Sequence, residues 1–121
     1  MSLSVSTRTV SDVTILDLDG RITLGDGTAT LRDAVRGLAS KDVKKIVLNL
    51  GNVTYIDSAG LGELVGCRTT VHNAGGTLKL LNLQKKVQDL MQITKLYTIF
   101  EAFDNEQAAI ASFGSTAGAK A

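Results

Sequence analysis

Hydrophobic and polar residues alternate through LSVSTRTV (3–10) and again through VTILDLDG (13–20), with turn-favouring Ser11 and Asp12 between them. This period of two predicts a β-hairpin. After Gly20 and the loop RITLGDG the period lengthens. Leu31, Val35 and Leu38 lie at helical spacing and predict a helix over 28–39 with Thr28 as its N-cap. The run KKIVLNL (44–50), short, apolar and rich in β-branched residues, reads as a strand buried on both faces and left through GNVTY. From Ser58 the pattern is helical again, with Leu61, Leu64, Val65 and Val71 on one face. It stops at NAGG, where Gly75 can supply a left-handed C-cap, so a helix is expected over 58–74. The remainder reads as a strand TLKLLNL, a helix KKVQDLMQITKL, a strand TIFEAF and a closing helix NEQAAIASF capped by Asp104 or Asn105.

The order is therefore ββαβαβαβα. Strands that alternate with single helices imply right-handed crossovers and a mainly parallel α/β sheet, with the opening hairpin adding an antiparallel edge. A chain of 121 residues suits one domain, here 1–113, and the small, polar end GSTAGAKA (114–121) is expected to be a flexible tail.

Composition removes several function classes. With a formal net charge of +1 and aromatics at 4%, neither electrostatics nor stacking argues for nucleic acid, and the charges of KDVKK and QKK read as solvated faces. No run of about 18 apolar residues suggests insertion in a membrane, and the first ten residues lack the layout of a signal peptide. Cys67 is the only cysteine, so no intrachain disulfide can form, and a reducing cytoplasm suits the chain. Cys67 and His72 alone do not complete a metal site, and no cofactor motif is present. GRITLGDGT shares glycines with phosphate-binding loops, but Asp26 stands where such a loop wants lysine.

The distinctive stretch is YIDSAGLGELVG (55–66). Ser58 falls beyond the carboxyl end of the predicted central strand, where open α/β sheets place their working sites. Its ordinary role there is a helix cap. On the predicted helix Ser58, Gly62, Gly66, Thr69 and Asn73 follow one another by three or four residues, forming a stripe almost without side chains beside the apolar face. An interior glycine costs about 1 kcal/mol relative to alanine, so two in line call for close approach by another body. That body is either a neighbouring helix of the same domain or a partner. A serine hydrolase does not fit: His72, the sole histidine, is on the same predicted helix and roughly 21 Å away, and IDSAG lacks the first glycine of a nucleophile elbow.

The segment VTYIDSAGLGELVGCRTTVHNAGGTLKLLNL resembles the core of a STAS domain, the fold of bacterial anti-sigma factor antagonists and of the cytoplasmic tails of sulphate transporters. The resemblance is specific at IDSAGLG, continues through KKVQDLMQITKLYTIFEAFDNEQAAI and spans 3–113. It implies a single STAS domain with helices mainly on one face of the sheet, acting as a binding protein rather than an enzyme. It also implies that Ser58 is phosphorylated by a partner that is both serine kinase and anti-sigma factor, with a phosphatase to reverse it. The partner surface implied comprises Asp57, Ser58, Ala59, Gly60, Gly62, Gly66 and Thr69, with Arg21 and Thr23 from the preceding loop. The pattern is departed from at Arg21, where an acidic residue is usual, and at Lys95, which replaces a glycine at the end of the third helix. Lys95 would have to take a left-handed turn. A STAS scaffold or a regulatory subunit of a larger complex is the alternative. A monomer or weak dimer in solution fits the switch, and a very large particle fits the scaffold.

Overall fold

The structure, a computed structural model, describes residues 3–118. Among them, five strands form one sheet in the order β1-β2-β3-β4-β5, with four α-helices packed on it. The hairpin is as expected: β1 (Leu3–Val10) pairs antiparallel with β2 (Val13–Ile22), and Val10 faces Val13 across Ser11 and Asp12. Ser11 takes a φ of +57° to close this turn. Three parallel ladders complete the sheet, joining β2 to β3 (Lys45–Ile56), β3 to β4 (Thr77–Leu81) and β4 to β5 (Ala102–Phe103). The predicted α/β architecture holds throughout.

Alternation along the strands sorts the core onto two faces. On one face Leu16, Leu18, Ile46, Leu48, Leu50, Leu78 and Leu80 meet α1 (Asp26–Ser40), α2 (Ser58–Asn73) and α3 (Lys85–Thr94) through Leu31, Val35, Leu64, Val71, Val87 and Met91. On the other, Val13, Ile15, Val47 and Leu81 are covered by Ala109 and Phe113 of α4 (Glu106–Gly118). Polar pins help to hold α4. Arg8 donates to Asp17 at 2.6 Å and to Glu106 at 2.6 Å, and Asn49 donates to the same Asp17 at 2.7 Å. The Arg8 guanidinium holds both carboxyls below their usual range, despite the opposing effect of burial. Lys79, buried beneath α4, reaches Ser112 at 2.7 Å and Glu101 at 2.9 Å, and lies 4.5 Å over the Phe113 ring.

Four local expectations are corrected. Helix α1 begins at Asp26 after Gly25, which takes a φ of +104°; Thr28 is buried inside the first turn, its hydroxyl donating to the Gly25 carbonyl at 3.1 Å rather than capping. Strand β3 does not stop at Leu50 but runs on to Ile56. Its register against β2 shifts twice, and Gly51 is satisfied sideways: its N–H donates to the Asn49 side chain at 3.1 Å and its carbonyl accepts from Gln84 at 2.7 Å. Most of TIFEAF is not strand, since Leu96–Thr98 is a 3₁₀ turn and only Ala102 and Phe103 pair with β4. Helix α2 ends at Asn73 rather than 74.

Two predicted ends hold: Lys95 is left-handed, with φ of +62°, and Gly75 takes +87° just past α2. Asn105, not Asp104, caps α4 by accepting from the Ala108 N–H at 2.9 Å. The expected tail begins at Gly114, whereas α4 is helical to Gly118; positions 119–121 of that tail lie outside the described residues.

Candidate functional site

The site is built where the long strand β3 delivers the chain into α2 beside the end of β2. Ile22 pairs with Ile56 at the top of the β2–β3 ladder, and the Asp57 N–H reaches the Ile22 carbonyl at 3.4 Å. The first turn of α2 then closes directly onto β2. A Cβ at Gly60 would lie 2.0 Å from the Ile22 carbonyl oxygen and 2.8 Å from Ile56 Cγ2, so only glycine lets the helix sit this close. Gly60 is thus a buried seat for the site rather than part of its surface.

Asp57, not Ser58, is the N-cap of α2. One carboxylate oxygen accepts from the Gly60 N–H at 2.8 Å and the other from the Leu24 N–H at 3.1 Å. These backbone donors, Leu24 foremost and then Gly60, hold its carboxyl below the usual range. A single ionised side chain therefore ties the start of α2 to the loop 23–25. With the cap supplied by its neighbour, Ser58 is released from that duty, and it is exposed on the first turn.

The glycine stripe faces outward. Among the described residues nothing lies within 4 Å of a Cβ built on Gly62, and the nearest atom to one on Gly66 is a Glu63 carboxylate oxygen at 3.7 Å. Thr69 and Asn73 continue the same exposed flank, while Ala59 is half-buried. Helix α1 packs on a different flank: Arg32 donates to Glu63 at 2.8 and 3.1 Å, and Glu63 is only 13% exposed. Of the two occupants left open by the sequence, the neighbouring helix of the same domain is thereby removed. Beneath α2, burial and then the Glu63 carboxylate push the Cys67 thiol up to about 12, so it is an inert core residue.

Arg21 is exposed opposite Tyr55, one pair before the end of the β2–β3 ladder, and Thr23 is half-buried, its carbonyl accepting from the Thr28 N–H at 3.1 Å. Two apolar residues join the surface that periodicity did not single out. Leu24, bound through its N–H to Asp57, is 78% exposed, and Tyr55 is 51% exposed. Tyr55 and Ile56 line a groove of about 280 Å³ with Val87, Leu90 and Ile93, rimmed by Lys86 and Asp89. The one available signal was the isolation of Leu24 between Thr23 and Gly25, an apolar residue with no periodic neighbour to bury against. Among the described residues no helix is long and apolar enough to cross a membrane.

The site is thus an exposed serine at the head of a side-chain-poor helix flank, at the carboxyl end of a mixed α/β sheet. The comparisons specify the class: residues 4–109 match the STAS domain, and the chain belongs to that family. A curated relative, the anti-sigma F factor antagonist of Paenibacillus polymyxa, is 24% identical over 110 residues, covering 91% of this chain and 94% of the relative. The anti-sigma-B factor antagonist of Bacillus subtilis is 44% identical over 52 residues, covering 43% of this chain and 48% of that one. Among solved structures, the Thermotoga maritima protein TM1081, a putative anti-sigma factor antagonist, superposes with a TM-score of 0.82 at 26% identity over 89% of this chain and 92% of its own. The Bacillus protein SpoIIAA in its phosphorylated form shares the fold, with a TM-score of 0.70 at 18% identity over 91% of this chain and 99% of that one.

Proposed function

We propose that this protein is a phosphorylation-controlled partner switch of the cytoplasm. Unphosphorylated, it binds an anti-sigma factor that is also a serine kinase and so frees a sigma factor; phosphorylation of Ser58 ends the binding, and a phosphatase restores it. The protein acts by association and catalyses nothing itself. The observation that carries this reading is the exposure of Ser58 at the head of the open Gly62 and Gly66 flank, with its capping duty taken by Asp57. On this reading Arg21, Thr23 and Thr69 also contact the partner, and the exposed Leu24 supplies an apolar contact. The names of the relatives, antagonists of anti-sigma F and anti-sigma-B factors, agree with it.

The energetics are consistent. A phosphate adds about −1.5 to −2 charges and sits at a helix N-terminus, which favours it by roughly 0.3–1 kcal/mol while the Asp57 carboxylate opposes. The fold therefore survives modification. A partner packed closely against the stripe does not tolerate the same dianion, because burying it without a cation costs several kcal/mol. Swinging a complex from mostly bound to mostly free takes about 5.5 kcal/mol, within reach of one desolvated phosphate. Calorimetric titration against the cognate anti-sigma kinase tests this. Ser58→Ala should keep binding and accept no phosphate, and Ser58→Asp should lose affinity by at least tenfold. Binding of Ser58→Asp at wild-type strength would overturn the reading.

A further inference from the structure

We propose that the outer edge of β1 is a self-pairing surface, on which two copies of this chain join antiparallel into one continuous sheet. Strand β1 ends the strand order, and among the described residues no strand pairs with its outer side. It is eight residues long, whereas β5 at the other edge has two.

The hairpin register decides which residues present backbone groups outward. Across the two-residue turn, Val10 and Val13 exchange both of their hydrogen bonds, and in an antiparallel ladder such pairs alternate with pairs that bond outward. The register runs unbroken from Val10↔Val13 to Leu3↔Gly20. Ser4, Ser6 and Arg8 therefore bond inward to β2, and Leu3, Val5, Thr7 and Thr9 turn their N–H and C=O groups to the open side.

The devices that usually blunt an exposed edge are missing. The strand carries no proline, no lysine and no register shift. Its one charge, Arg8, is held back on the domain's own sheet face by Asp17 and Glu106. Ser4, Ser6, Thr7 and Thr9 are exposed.

The occupant is a second copy because the edge complements itself. Pairing centred on Ser6 sets Val5 of one copy opposite Thr7 of the other and Leu3 opposite Thr9, so all four outward-bonding residues find equivalents. It also sets Arg8 opposite Ser4 and keeps the two Arg8 side chains apart. Leu3 and Val5 already lie half-buried against the larger core, so the join extends that apolar layer across the axis. A strand pair of this length buries far less than the ~1,600 Å² of a standard interface, so the dimer is weak, dissociating in roughly the 10–100 µM range. The antiparallel join sends the two Ser58 ends to opposite poles of the sheet and leaves both open.

Sedimentation equilibrium of the full chain from low micromolar to about 1 mM tests the proposal. Wild type should pass from monomer to dimer. Thr7→Pro removes an outward N–H and leaves the β1–β2 ladder intact, so it should weaken dimerisation at least tenfold while the circular dichroism spectrum is unchanged. If that variant misfolds, Ser6→Lys places two like charges face to face at the axis and should do the same. A wild type that stays monomeric at 1 mM, or a folded variant that dimerises as wild type does, would overturn it.

Discussion

The glycines of α2 make two opposite uses of the same missing side chain. At Gly60 a methyl group would strike the Ile22 carbonyl at 2.0 Å, so the absence of a Cβ is what lets the helix seat on β2. Two residues further on, round the helix, Gly62 has nothing within 4 Å among the described residues, and Gly66 meets only the end of Glu63. The domain itself does not need those glycines. Gly60 is explained by folding, while Gly62 and Gly66 lower helix stability for no internal return, which is the pattern expected when the compensating contact lies in another molecule.

Substitution separates the two uses most sharply at Gly60. Gly60→Ala should destabilise the fold by about 3 kcal/mol, read by urea unfolding, because backbone rather than a mobile side chain opposes the new methyl. Asp57→Ala comes next. It removes the cap that seats α2 and frees the loop at Leu24, so the melting temperature should fall by several degrees, and amide exchange should quicken at Leu24 and Gly60 together. The same link has a pH signature. Because the Asp57 carboxyl is depressed in the folded chain, its contribution is complete above the ordinary carboxylate pKa of about 4 and is lost as pH falls through the lower folded value. The Leu24 and Gly60 amide resonances should move in step only in that acid range. The smallest effect, of opposite sign, is at the open glycines. Gly62→Ala and Gly66→Ala should each stabilise the free protein by roughly 0.5–1 kcal/mol in the same urea assay and, on the function proposed, weaken binding to the partner. If either instead destabilises as Gly60→Ala does, the contrast between the two flanks collapses.

Much of this was legible in the chain, for identifiable reasons. The hairpin and α2 declare themselves through periods of two and of three to four residues. Strand β3 was read short because Gly51 and Asn52 look like a turn; what keeps them in the sheet is side-chain capture by Asn49 and Gln84, which periodicity does not report. The strand predicted from TIFEAF is cut to Ala102 and Phe103, because β-branched composition does not reveal that the left-handed Lys95 leads into a 3₁₀ turn. At the site, the motif and the stripe single out Ser58, but its ordinary capping role falls to its neighbour Asp57. Aspartate and serine are equally good caps. The bond that singles out Asp57 comes from Leu24, 33 residues away in the chain. The outward aspect of the stripe was equally invisible, since it depends on which flank α1 occupies.

The two bonds accepted by Asp57 have one more consequence. Loops that are free in solution must be frozen when a partner arrives, at a cost of about 0.5–1.5 kcal/mol for each side chain immobilised. Here the segment bearing Leu24 and the turn bearing Ser58 are already clasped by one carboxylate, so that ordering has been done during folding. For the partner proposed, the surface is preorganised: association has little entropy left to lose there.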